Sequence, residues 1–192
     1  MMLKKTVMTL QQAQQRLAKE NAKSGETPAQ PWLVVSACLA GEKCRYNGGD
    51  RLDPAVKALV EQGHAVAMCP EREGGLPTPR QPAHLEGGLG FDVVAGLARV
   101  LTRTPPGVTA QDVTRNFRDG AWKTMAKARE INAQAAILKD GSPSCGVHRV
   151  TLEGTEVEGR GATAALLAHN GVAVFSEEDW AGENRTHDAS VG

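Results

Sequence analysis

Three cysteines far apart in the chain each stand where an apolar, strand-like run stops. LVVSAC ends at Cys38, AVAMC ends at Cys69, and AAILKDGSPSC reaches Cys145 after a short loop. The carboxyl ends of parallel strands in an open α/β sheet share one edge, and ligands bind in the crevice there. If these runs are strands of one such sheet, the three thiols converge. Three thiolates without a compelling fourth ligand suit an iron–sulfur cluster with one iron left open, a Lewis acid soft enough to bind sulfur. Zinc is the other reading: Cys145 and His148, spaced C-x-x-H, with Cys38 and Cys44 would give a closed tetrahedral set. Taken alone, Cys44 reads as a small buried hydrophobe.

Polar groups accompany the cysteines. Glu71 lies two residues after Cys69, with Glu73 two further on. A carboxylate beside a metal site can hold or deprotonate a water. In DGSPSCG, Ser142 and Ser144 flank Pro143 and offer hydroxyls close to Cys145, either to a ligand or to the amides of their own loop. Asp140 has no partner identifiable from sequence. Lys43, Arg45, Arg51, Arg72, Arg80, Lys139 and Arg149 fall in or near the three cysteine loops. As a group they would accept an anionic substrate, since Arg grips phosphate bidentately. Neither GxGxxG nor a Walker motif occurs, so a dinucleotide or ATP site has no support.

The segments SACLAGEKCRYNGG, CPEREGGLPTPR and LKDGSPSCG, in this order, resemble the three signature segments of the thiouracil desulfurase family, a bacterial family formerly of unknown function. The resemblance spans roughly residues 33–176. It implies a Rossmann-like α/β domain holding a four-iron four-sulfur cluster through Cys38, Cys69 and Cys145, each matched by its motif. The remaining iron would face the thiocarbonyl sulfur of 2- or 4-thiouracil, or of its nucleoside or nucleotide. The implied reaction is non-redox: water replaces sulfur on the pyrimidine and sulfide is released. A Glu and a Ser are the expected helpers, for which Glu71, Ser142 and Ser144 are the candidates by proximity, whereas Cys44 is not among the expected ligands. The implied partner is a small thiolated pyrimidine, with tRNA as a second candidate. Two alternatives remain: a metal- or cluster-stabilised module that binds thiolated RNA through the basic N-terminal arm, and a sulfur-carrier protein.

Composition sets the outer bounds. The chain of 192 residues is long enough for one domain with a real core, and its 41% hydrophobic content is that of a globular protein. No apolar stretch reaches the roughly 18–20 residues a bilayer crossing needs. Twenty-two basic and 22 acidic residues cancel, so no global field favours nucleic acid. Residues 1–23 nevertheless set Lys4, Lys5, Arg16, Lys19 and Lys23 against Glu20 alone, a basic arm read as a solvated end. Four cysteines without a disulfide-scaffold pattern, and no visible signal peptide, point to the cytoplasm.

The elements that must position these residues alternate between strand and helix, which predicts a Rossmann-like α/β fold with a mostly parallel sheet and helices on both faces. A basic helix and linker are expected over 1–31, the compact domain over 32–182, and a disordered tail over 183–192. Within these, helical spacing covers 9–23 and a first strand 32–37. Asp53 caps a helix that Pro54 opens and Gly63 ends. Strands follow at about 65–69, 98–102 and 135–139. The proline-rich segment from Cys69 to Pro82 reads as an ordered loop without regular structure. A helix is expected from Thr109 to about Asn132, with Thr109 and Asp112 resembling a capping box in which Asp replaces the usual Glu or Gln. A hairpin over 148–158, a helix over 160–169 and the strand VAVF complete the domain.

Overall fold

The computed structural model describes residues 7–22 and 30–181. Its centre is a four-stranded, all-parallel sheet made of β1 (Leu33–Ser36), β2 (Ala65–Met68), β5 (Ala135–Leu138) and β8 (Ala173–Ser176), in the order β2-β1-β5-β8. Every residue of β1 and β5 is buried, as expected of parallel strands covered on both faces. Alternate residues feed two cores. Leu33, Val35, Ala135 and Ile137 face α1 (Leu10–Asn21) and α2 (Pro54–Glu61). Val34, Ala136 and Leu138 face α5 (Thr114–Glu130) and α6 (Ala162–His169). The expected doubly covered parallel sheet is therefore present.

A second four-stranded sheet was not foreseen. It has the order β4-β3-β6-β7 and is built from two excursions of the chain. Between β2 and β5 lie β3 (Ala83–Glu86) and β4 (Arg99–Thr102), antiparallel to each other. After β5 comes the hairpin of β6 (Arg149–Leu152) and β7 (Thr155–Glu158). The two pairs join through the parallel match of Leu85 with Leu152.

The expected helix from Thr109 starts instead at Thr114. Residues before it extend β4's neighbourhood: Thr102 N–H donates to Gln111 O, and Leu101 bridges Asp112. The capping box of Thr109 and Asp112 does not form: Val113 is the N-cap and makes no side-chain cap bond, while the Asp112 carboxylate accepts the Thr114 amide at 2.9 Å in the turn before the helix. The proline-rich segment is not devoid of regular structure either. Pro70–Glu73 form a helical turn, α3, and a further helix, α4 (Gly90–Ala95), follows β3.

The N-terminal helix is docked rather than solvated. Thr9 and Gln12 form its reciprocal cap, and Ala13 is fully buried. Glu20 is the anchor: Trp32 Nε1 donates to its Oε2 at 2.9 Å, and Nδ1 of buried His64 lies 3.0 Å from the same oxygen. Arg16 completes the patch, ion-paired with Glu20 and stacked 4.4 Å above the Trp32 ring. The expected linker and tail fall mainly on residues outside those described. Among the described residues, no helix is long and apolar enough to cross a membrane.

Candidate active site

The strands β2, β1 and β5 are neighbours and point the same way, so their carboxyl ends open on one crevice. Ser36 at the end of β1 stands level with Met68 at the end of β2, and Val35 level with Ile137 of β5. Cys38 is two residues past β1, Cys69 is the residue after β2, and Cys145 sits at the tip of the loop leaving β5. All three line one cavity of about 290 Å³, close to the lower end of the roughly 300–1,000 Å³ usual for small-ligand clefts.

Cys44 lines it too. The reading of Cys44 as a core hydrophobe captures its burial, at 1% exposure, but misses its address. Its thiol lies beside those of Cys38 and Cys69. The Cys38 thiol beside it, above all, and burial push Cys44 up to about 11. Cys69 is raised as well, by the Cys44 thiol and by burial, and Cys145 is pushed up to about 12 by burial. The Cys145 thiol keeps different company, contacting the hydroxyls of Ser36 and Ser144. All four cysteines are free thiols.

Glu71 stands on the first turn of α3 at the cavity wall, in the short helix that Pro70 opens directly after Cys69. Arg80 reaches across from the end of the proline-rich segment and donates to Glu71 Oε2 at 2.7 Å. The other carboxylate oxygen faces Ser142, whose hydroxyl lies 3.4 Å from Oε1. The two candidate serines are thereby separated. Ser142 lines the cavity, and its oxygen also accepts the amides of Ser144 and Cys145 at 3.1 and 3.2 Å. Ser144 is fully buried, is not among the cavity-lining residues, and shares a 2.9 Å hydrogen bond with the Thr163 hydroxyl on α6.

Asp140 proves to be the organiser of the Cys145 loop. One of its oxygens accepts the amides of Val147, His148 and Arg149 at 2.8, 3.0 and 3.1 Å, and Arg149 Nε approaches the other at 3.2 Å. Burial works against its ionisation, but the amides of Arg149, His148, Val147 and Gly141 outweigh it and hold Asp140 at about 2. A carboxylate in the middle of a loop thus supplies the acceptor that a strand neighbour would.

The cations mostly have partners. Arg72 pairs with Glu42, Lys139 with Glu177, Arg149 with Asp140 and Glu178, and Arg80 with Glu71. Arg45, beside the exposed ring of Tyr46, and Arg103 line the cavity with no carboxylate partner among the described residues. Arg51 belongs to an adjoining groove with Leu52, Asp53 and Glu177. The zinc set does not assemble. His148 is exposed, pairs with Asp179 at 2.7 Å and is not among the cavity-lining residues. Among the described residues no three His, Cys, Asp or Glu side chains converge tightly enough to hold a single metal ion.

Cysteine sulfurs gathered around one small cavity are the soft donors an iron–sulfur cluster takes, and a cluster spreads its thiolates farther apart than one ion does. Several cavity residues escaped the sequence reading. Ser36 ends a strand without any polar signature, and its oxygen accepts the Lys139 amide at 3.0 Å. Ala83, Arg103 and Thr151 arrive from the second sheet, whose pairing depends on long-range contacts. Arg80, read from sequence only as one of the cations open to an anionic substrate, is instead paired with Glu71.

The family model described as 2-thiouracil desulfurase matches residues 33–179. The protein YbbK of Bacillus subtilis (strain 168), described as uncharacterized, is 45% identical over 150 residues, covering 77% of this chain and 96% of YbbK. Among solved structures, the [4Fe-4S]-dependent thiouracil desulfidase TudS superposes with a TM-score of 0.66 at 35% identity, over 83% of this chain and 99% of TudS. The chain belongs to the 2-thiouracil desulfurase family.

Proposed function

We propose that the protein is an iron–sulfur-cluster-dependent desulfurase that removes sulfur from a thiolated uracil (2- or 4-thiouracil, or its nucleoside or nucleotide) and releases it as sulfide. Family membership and the likeness to TudS support the activity and the cofactor. The observation that carries the reading is the meeting of Cys38, Cys69 and Cys145, from three adjacent parallel strands, with Glu71 and Ser142 at one cavity.

In this reading Cys38, Cys69 and Cys145 hold a four-iron four-sulfur cluster, losing their protons as they bind it. When bound, the cluster supplies a thiophilic Lewis acid that draws electron density from a thiocarbonyl sulfur. The protein's own groups do the rest. Glu71 Oε1, the carboxylate oxygen not held by Arg80, takes a proton from the water that adds to the ring carbon. The Ser142 hydroxyl, held by two loop amides, serves the ring nitrogen as proton donor. The balance is C=S plus water giving C=O plus hydrogen sulfide, with no change in oxidation state. Apolar neighbours such as Met68, Pro70 and Pro143 limit competing water.

The test is oxygen-free purification. The expected product absorbs broadly in the visible, contains stoichiometric iron and acid-labile sulfide, and converts thiouracil to uracil with sulfide release. Alanine at Cys38, Cys69 or Cys145 abolishes iron content and turnover, while Cys44→Ala retains the iron. A colourless, iron-free protein from the same preparation overturns the proposal. Equal iron loss on replacing Cys44 would substitute a four-cysteine site for a three-cysteine one.

A further inference from the structure

The desulfurase reading gives Cys44 no task, yet its thiol shares the cavity with the three assigned ligands. Cys69 is the most accessible of the four: Cys38, Cys44 and Cys145 are 8%, 1% and 7% exposed, whereas Cys69 is half-buried. The Cys69 thiol points at Cys44, donating to its carbonyl oxygen at 3.8 Å, and the two thiols are in contact. The Cys44 segment is held in that position from two sides. Arg80 Nη1 donates to the Cys44 carbonyl at 3.0 Å, and the Cys44 amide donates to Glu42 O at 2.8 Å. Cys145, among hydroxyls, has no such thiol companion in contact.

We propose that Cys44 is a resolving cysteine, which forms a reversible disulfide with Cys69 when oxidants strip the cluster and so preserves the ligand thiols. This rests on the reading of Cys38, Cys69 and Cys145 as cluster ligands. A cluster with one open iron leaves its cysteines bare each time oxidation destroys it, and the accessible Cys69 is then the first target of peroxide. The Cys69 sulfur, a thiolate at the moment iron leaves it, takes one oxygen from hydrogen peroxide, forming sulfenic acid and hydroxide. The Cys44 sulfur then attacks the sulfenic sulfur, a water leaves, and the Cys44–Cys69 bond forms. Two thiols supply the two electrons. A low-molecular-weight thiol or a dithiol protein restores both by exchange, after which iron and sulfide can be reloaded. Without a neighbour at position 44, the sulfenic acid is free to advance to sulfinic acid, which thiols do not reverse.

The experiment starts from anaerobically purified holoenzyme, bleached with hydrogen peroxide, alkylated and digested for mass spectrometry. The expected result is a peptide pair joining Cys44 to Cys69 that dithiothreitol separates. In Cys44→Ser treated alike, Cys69 carries sulfinic acid, and iron regained after dithiothreitol and reconstitution falls several-fold below the wild-type level. Alkylated, free Cys44 in the bleached wild-type protein overturns the proposal, as does full iron recovery by the variant. The wild-type mapping stands even if the variant folds poorly. Failure of the ligand reading is a separate result, seen before any oxidant is added as unchanged iron in Cys69→Ala.

Discussion

Arg80 holds Glu71 with Nε and Nη2 each 2.7 Å from Oε2, in a pair whose side chains are only 7% and 17% exposed. The same guanidinium uses Nη1 on the carbonyls of Cys44 and Pro77 and approaches the Thr78 hydroxyl. One side chain thus ties together three stretches of the cavity wall. A planar fork with five donors can do this where an ammonium cannot.

Arg80→Gln is expected to lower kcat for thiouracil desulfuration by about 10–100-fold, the range found when groups that orient metal-site residues are lost. Iron content should stay near wild type, because Arg80 touches no cysteine sulfur in the hydrogen-bond network. Arg80→Lys should restore part of kcat by keeping the charge without the fork. Unaltered kcat in Arg80→Gln would show that Glu71 needs no such support.

The serines, two residues apart, should part company on mutation. Ser142→Ala is expected to cut turnover while leaving thermal stability within about 1 kcal/mol, as the two hydrogen bonds it accepts are only partly buried. Ser144→Ala leaves the Thr163 hydroxyl buried without its partner and should cost about 1–3 kcal/mol in stability. Parallel turnover and denaturation measurements decide the assignment, and the reverse pattern would exchange the two roles.

Asp140 predicts an acid-sensitive loop. Its folded-state pKa of about 2 lies below the ordinary 3.8, so its contribution is fully present above about pH 4 and fades as pH falls toward 2. The shift corresponds to about 2 kcal/mol. Urea unfolding across this range should show wild type losing stability more steeply than Asp140→Asn, which is already weaker at neutral pH. Parallel pH dependences in the two proteins would refute the assignment.

Backbone contacts set how closely α3 approaches α5. A Cβ on Gly120 of α5 would lie 1.9 Å from the Pro70 carbonyl oxygen, and one on Gly74 would lie 1.9 Å from that of Asn116. Asn116 and Lys123 of α5 in turn donate to the carbonyls of Gly74 and Glu73. Gly120→Ala should therefore push α3 away, costing about 1–3 kcal/mol and most of the turnover, although residue 120 does not line the cavity. Retained activity together with retained melting temperature would contradict this account.

What could be read beforehand followed from local chemistry. Asp53 and Pro54 announced α2, and the cysteines at the ends of apolar runs announced the cavity they line, because strand exits and helix starts carry their own residue signals. The hidden parts depend on distant partners. AHLE becomes β3 through pairing with Arg99–Thr102 and with Leu152, which four residues of mixed polarity do not advertise. The early start assigned to α5 had a similar cause: residues 111–112 were helix-compatible, but β4 claimed their backbone. Asp140 had no visible partner because most of its partners are amides, to which every residue contributes alike. Ser142 and Ser144 were inseparable because only the fold decides which of them turns toward α6.

The second sheet gives the cavity a divided construction. The thiols reach it from the ends of the parallel strands, whereas Ala83, Arg103 and Thr151 reach it from the separate excursions that carry the second sheet, a wall of its own. Remodelling that wall would retune which thiolated molecule is admitted while leaving the thiols intact.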